Sequence, residues 1–171
     1  MNIKDVIGDH EIFFSDILAS LEKISIDINQ MPISHLCYRT IGLEEYETLR
    51  EKLKTFCKEF VETLHNGRPV SIFELRDKLL LAKGFSFSFI ELPAPKNKID
   101  YPSGLEHVGF VAGNKLSEFK IKYKTVLTGE KDLRPFDSPA FVAFNNGKTA
   151  KFYQLSLKEI VLMQGWNFEA L

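Results

Sequence analysis

The segment Phe85-Ser-Phe-Ser-Phe-Ile-Glu91 constrains the fold more than any other stretch of the chain. Aromatic residues and serines alternate strictly up to Phe89, and the run stops against Pro93-Ala-Pro95. A period of two places every ring on one face of an extended strand and cannot make the stripe of a helix. Many of the 15 phenylalanines lie in such short alternating segments. Strands with one apolar face are therefore expected, and they need a second layer to cover them.

Helices supply that layer. Ile3, Val6, Ile7, Ile12, Phe14, Ile17, Leu18 and Leu21 recur near 3.6 residues, which predicts an N-terminal helix. After Pro32, Ile33 to Arg39 alternates and predicts a strand. Leu43 to Phe60 is rich in Glu and Lys, with Leu49, Leu53, Phe56 and Phe60 on one face, and predicts a second helix. On that reading Cys57 packs against the core, and the charges from Glu51 to Glu59 form a solvated face. Phe60 to His65 and Arg68 to Leu75 flank Asn66-Gly67, the signature of a tight hairpin. With the Phe85 to Glu91 strand, the order is strand, helix, strand, strand, strand.

Pro93 to Gly104 holds three of the seven prolines and reads as a seam. Beyond it the order begins again. Leu105 to Val111 predicts a strand, Ser117 to Tyr123 a short helix, Ala140 to Phe144 a strand, and Thr149 to Leu155 another after the Asn145-Asn-Gly147 turn. A strand within Thr125 to Leu133 completes the second unit. Ser156, with Glu159 three residues on, predicts a capping box for a helix through Leu162.

The two units open alike. Ser34-His-Leu-Cys-Tyr-Arg39 and Glu106-His-Val-Gly-Phe-Val111 both carry His second, and His35 and His107 stand 72 residues apart. Alternation places His35 on a face with Ile33, Cys37 and Arg39, and His107 with Leu105, Gly109 and Val111. It places Glu91 with Phe85, Phe87 and Phe89, and Tyr153 with Thr149, Lys151 and Leu155. Two imidazoles and a carboxylate on neighbouring strands make a binding set for a divalent transition metal. Each residue alone has a plainer role, as a core histidine or a solvated strand end. Arg39, Arg68, Lys148 and Lys151 offer cations to an anionic substrate, while Cys37 reads as a buried thiol, His10 as a helix-surface residue and His65 as a hairpin-end residue.

Charge and composition narrow the functions. Lys+Arg 22 against Asp+Glu 23 gives no basic excess for nucleic acid. No apolar run reaches membrane-spanning length, two cysteines do not make a secreted disulfide framework, and no P-loop or Rossmann glycine pattern occurs. A cytoplasmic protein is expected, acting on a small molecule, without a nucleic-acid or membrane partner.

Four segments carry a family resemblance: Asn66-Gly-Arg-Pro-Val-Ser-Ile-Phe-Glu-Leu75, Ile90-Glu-Leu-Pro-Ala-Pro95, Tyr101-Pro-Ser-Gly-Leu-Glu-His107 and Lys151-Phe-Tyr-Gln-Leu-Ser156. They resemble motifs of the YecM family, within the vicinal oxygen chelate superfamily of glyoxalases, extradiol dioxygenases and bleomycin-resistance proteins. The resemblance implies an α+β fold in which two paired βαβββ modules form a curled mixed sheet around a cavity. The modules would span about 32–95 and 104–171 of one domain, residues 32–171, preceded by a helical extension, residues 1–31.

The resemblance also implies metal ligands from the first and last strands of each module: His35, Glu91 and His107. At the fourth position this chain has Tyr153, where related sequences often have His, so Tyr153 is expected to hydrogen-bond substrate or act as an acid. Arg39, Lys151, Phe87 and Phe89 are expected to contact substrate. The implied cofactor is a divalent metal (Zn, Mn, Ni or Fe(II)). The implied function is a metal-dependent isomerase, lyase or dioxygenase acting on a small oxygen-rich substrate. The alternative is a non-catalytic sequestering protein with an aromatic cavity of Phe85, Phe87, Phe89 and Tyr153, marked by a Glu91–Arg39 pair. A third reading is a dimerisation module.

Overall fold

Gly8, at φ +81°, interrupts the apolar N-terminal segment. The expected single helix is therefore two, α1 (Lys4–Ile7) and α2 (His10–Lys23), the second capped by Asp9 accepting from the Glu11 and Ile12 amides. The computed structural model describes residues 2–29, 31–96, 101–130 and 138–171. His10 is a buried residue, not a surface one: its ring meets Phe87 edge-on at 5.6 Å.

Module one runs β1 (Ile33–Arg39), α3 (Leu43–Lys54), β2 (Cys57–His65), β3 (Arg68–Leu80) and β4 (Ser86–Pro93). The helix stops at Lys54, short of the expected Phe60. Thr55-Phe-Cys favours extended backbone, and β2 gains a full ladder against β3 that one more helical turn would forfeit. Cys57 is thus a fully buried strand residue opposite Leu75, and the charge run is split between helix and strand. Asn66 (φ 53°) and Gly67 (φ 74°) make the two-residue turn that His65 and Arg68 close.

Module two runs β5 (Gly104–Val111), α4 (Leu116–Lys122), β6 (Gly129–Glu130), β7 (Ala140–Ala143) and β8 (Thr149–Tyr153). The strand expected within Thr125 to Leu133 is β6; residues 131–133 of that stretch, and 97–100 of the seam, lie outside the described residues. Helix α5 (Leu157–Met163) follows, with the Ser156–Glu159 capping box in place. A last strand, β9 (Glu169–Ala170), was not legible in the sequence; it pairs with the edge of β2.

The nine strands of the described residues form one curled sheet in the order β6-β7-β8-β5-β1-β4-β3-β2-β9. In each module the first strand is parallel to the last, β1 with β4 and β5 with β8, and the first strands β1 and β5 meet antiparallel at the centre. This is the α+β fold of paired βαβββ modules. One face of the sheet carries the main core: Leu36, Ile90, Val108, Phe110 and Phe152 are fully buried in one cluster with Phe14 and Ile17 of α2 and Leu53 of α3. The N-terminal helices belong to this core. The opposite, concave face holds the polar side chains.

Candidate metal centre

Two bulges in the central β1–β5 ladder organise the concave face. Between Ile33 and His35 the ladder gains a residue, Ser34, on β1; between Cys37 and Tyr38 it gains Glu106 on β5. A bulge residue leaves the alternation, so it and its neighbour turn to the same side. Ile33 and Leu105 consequently pack on the helical core and do not share the face of His35 and His107. Ser34 and Glu106 face the histidines instead. Each stands one residue before its histidine and touches the Nδ1 of that ring: Ser34 Oγ lies 2.9 Å from His35 Nδ1, and Glu106 bonds His107 Nδ1.

The far edges of the two rings then meet. His35 Nε2 is 3.2 Å from His107 Nε2, and Glu91 Oε2, from β4, is 3.7 Å and 3.3 Å from the same two nitrogens. Both imidazoles are buried. Two donors each about 2.1 Å from a metal, at angles between the octahedral and tetrahedral values, lie roughly 3.0–3.4 Å apart. Two of the three separations fall in that range and the His35–Glu91 one, at 3.7 Å, lies just beyond it, so the trio is a candidate site for one divalent ion, with one formal negative charge and coordination positions left over.

Burial pushes His35 down to about 3, so its imidazole is neutral at physiological pH. Burial opposes ionisation of Glu91, but the His107 bond and the charges of His107, His35 and Lys151 outweigh it and hold the carboxyl well below the usual range. Glu106 behaves alike: burial opposes ionisation, and His107, Lys151 and Arg39 overcome it. Cys37, opposite His107 and Glu91 on the neighbouring strands, is fully buried, and burial pushes its thiol well up. It is a poor nucleophile.

A cavity of about 750 Å³ opens over Glu91 and His107, walled by β1, β3, β5, β8 and α5. Lys151 and Tyr153 line it from β8, and the Tyr153 ring lies 5.6 Å from that of His35. Lys151 is half-buried and makes no ion pair among the described residues. Arg39 also lines the cavity, but it is engaged: Nη2 is 2.9 Å from Glu106, and its guanidinium lies over the Tyr101 ring at 4.5 Å. Arg68 donates to the Ala94 carbonyl at the cavity mouth, and Lys148 pairs with Asp16 away from it.

Phe85 and Phe87 do not line the cavity. Phe85 packs on Phe14 and Phe87 on His10, both in the helical core. The β3–β4 ladder slips between the Phe87 and Phe89 pairings, so the period of two does not carry through the segment. Phe89 meets Phe168 in a small cluster beneath Lys158 and is likewise not a lining residue. Sequence reading missed Ser34 and Glu106, whose neighbours in the chain were the only signal. It also missed why position 109 is glycine: a Cβ there would lie 2.5 Å from His35 Cε1.

The architecture is one of paired βαβββ modules in an open curled sheet with a His–Glu–His trio on its polar face. The description "YecM protein" belongs to the family model that matches residues 2–138, and the chain belongs to that family. It is 22% identical over 176 residues to Protein YecM of Escherichia coli K12, covering 93% of this chain and 92% of the relative. It is 30% identical over 111 residues to an uncharacterized protein of Haemophilus influenzae Rd, covering 64% of this chain and 57% of that one. Among solved structures, the structural-genomics Protein EC4020 superposes with a TM-score of 0.78 at 24% identity, over 96% of this chain and 97% of that one. No helix among the described residues is long and apolar enough to cross a membrane.

Proposed function

We propose that His35, Glu91 and His107 hold a divalent metal ion and that the chain is an enzyme acting on a small, anionic, oxygen-rich molecule. The observation that carries this reading is the convergence of three donor atoms, from three adjacent strands, at or near the separations of metal ligands. Zinc, manganese, nickel and ferrous iron all accept two imidazoles and a carboxylate. Bound there, the metal supplies Lewis acidity toward adjacent substrate oxygens.

The remaining work falls to side chains already in place. Lys151, the half-buried ammonium on β8, orients an anionic group of the substrate. Tyr153 presents its phenol at the edge of the His35 ring, where it donates a hydrogen bond to substrate or a proton to a leaving oxygen. Val70, Ile72, Leu157 and Val161 give the cavity an apolar wall that limits water. The sequestering alternative gains little support from the side chains: of its aromatic wall only Tyr153 lines the cavity, Phe85, Phe87 and Phe89 being turned elsewhere, and Arg39 pairs with Glu106, not with Glu91.

Elemental analysis of the untagged protein tests the reading, beside His35→Ala and His107→Ala. One divalent ion per chain in the parent, lost in both variants, is the expected result, followed by a screen of vicinal diols and 2-oxo acids with each candidate ion. No bound metal after reconstitution with zinc, manganese, nickel and ferrous iron overturns it.

A further inference from the structure

We infer that the cavity is a two-ended substrate site, and that its end between β3 and α5 receives an apolar alkyl or aryl substituent of the same anionic molecule. The inference rests on the metal reading above and deepens it, from a compact oxygen-rich substrate to an elongated one.

The ladder registers carry it. Ile72 pairs with Glu91, Glu91 with Cys37, Cys37 with His107, and His107 with Thr149. These residues form one row across β3, β4, β1, β5 and β8, and each of them lines the cavity. Residues directly opposite each other share a face of the sheet, so the row is the cavity floor. Its four interstrand steps of about 4.8 Å carry it about 19 Å along the curled sheet. A three-carbon acid at ordinary bond lengths reaches only about 5 Å. With its anionic group at Lys151, two residues beyond Thr149 on β8, and its oxygens toward His107 and Glu91, such a molecule leaves the β3 end unfilled. The volume agrees: about 750 Å³ falls in the range of roughly 300–1,000 Å³ that encloses far larger ligands.

The buried part of the β3 end is apolar. Val70 and Ile72 line it from alternate positions of β3, and Leu157, Ile160 and Val161 line it from one face of α5. Their spacing on α5 is that of neighbours on a helix surface, and the next two residues, Leu162 and Met163, are exposed. Thr63 beside them spends its hydroxyl on the Val70 carbonyl at 3.4 Å. Such a wall favours burial of hydrocarbon and opposes burial of charge. Helix α5 is also fastened in advance. The Leu157 amide donates to Ser34 Oγ at 2.7 Å, and Lys158 pairs with Glu59 and Glu74 and lies over the rings of Phe89 and Phe168. The apolar end is therefore preformed, across the floor from Lys151.

The test titrates straight-chain 2-hydroxy acids, from lactate to 2-hydroxydecanoate, into the zinc-loaded and the metal-free protein by calorimetry. Affinity is expected to rise about 4-fold per methylene, as one buried CH₂ contributes, and to level off once the apolar end is full. Ile160→Ala is expected to move that plateau to a longer acid and Ile160→Phe to a shorter one. A purely structural role for Ile160 would change all lengths alike. Lys151→Ala is expected to weaken every length by the same factor, about 10-fold. Affinity independent of chain length, no binding of any acid, or a plateau unmoved in both Ile160 variants overturns the inference. Protein that takes up no zinc but keeps the length dependence refutes the metal reading alone.

Discussion

The two modules share a backbone and divide the chemistry. Each opens with a strand that bulges one residue before its histidine, and each closes with a strand parallel to the first. Module one closes with Glu91, which brings negative charge to the trio; module two closes with Lys151 and Tyr153, which line the cavity. The position two residues after each histidine differs as well: Cys37 in one module, Gly109 in the other. Each pairs with the histidine of the other module, but only at Gly109 does that ring lie so close that a side chain is excluded. A duplicated scaffold keeps what its hydrogen-bond ladder dictates and varies what the ladder leaves free.

The comparison can be broken most severely at Gly109. Alanine there drives a methyl into the His35 ring, so Gly109→Ala is expected to cost about 1–3 kcal/mol of stability and to abolish tight zinc binding. Cys37→Ala is the control and is expected to keep zinc. Thermal unfolding and zinc titration of both variants decide this, and equal behaviour of the pair would remove the steric argument.

Lys151→Ala is next. It is expected to leave bound metal unchanged and to weaken binding of an anionic substrate by about 10-fold, the worth of one charge-assisted contact. A matching loss of metal would show that Lys151 supports the ligands and not the substrate. Tyr153→His places an imidazole beside the His35 ring and sharpens the contrast between the closing strands. Tighter zinc binding, by roughly 10-fold, is expected from a fourth nitrogen donor near His35. Chelator competition measures it, and unchanged affinity would place position 153 out of reach of the metal.

The smallest effect concerns module one alone. There Tyr46 on α3 donates to Glu62, Ser71 and Arg50 bond the same carboxylate, and α3 is tied to β2 and β3. Burial opposes ionisation of Glu62, but these partners prevail and lower its pKa. The contribution to stability is therefore complete above the unfolded carboxylate range and declines as pH falls through the lower folded value. With the group partly exposed it is worth at most about 1 kcal/mol. Wild type is expected to lose its advantage over Glu62→Gln between pH 5 and pH 3, by about that amount; a constant difference in Tm across the range would refute the assignment.

Local patterning carried the architecture well. Alternating segments, Asn66-Gly67 and the Ser156–Glu159 box are signals that nearby residues fully determine, and the order of elements follows from them. The faces were less legible. Bulges at Ser34 and Glu106 depend on how β1 and β5 align, and nothing in either strand alone announces them. The end of α3 was hidden because Phe56 and Phe60 fit a helical stripe as well as a strand, and the ladder with β3 decides. Phe85 and Phe87 misled for the same reason: a slip against β3 turns them to the helices. His35, Glu91 and His107 were nonetheless chosen together, because no bulge separates the histidines from the strand positions that face Glu91.

The open sheet must also end somewhere, and it ends cautiously. An unpaired strand edge is a template on which another chain can grow. Here the outermost strands are β6 and β9, each assigned only two residues, and β9 covers part of the nine-residue β2. Among the described residues neither terminal strand offers a long ladder to a neighbouring molecule. The C-terminal segment that supplies β9 thus acts as a cover against sheet-to-sheet growth, a protection that a truncation ahead of Glu169 would remove by baring β2 at Glu59 and Phe60.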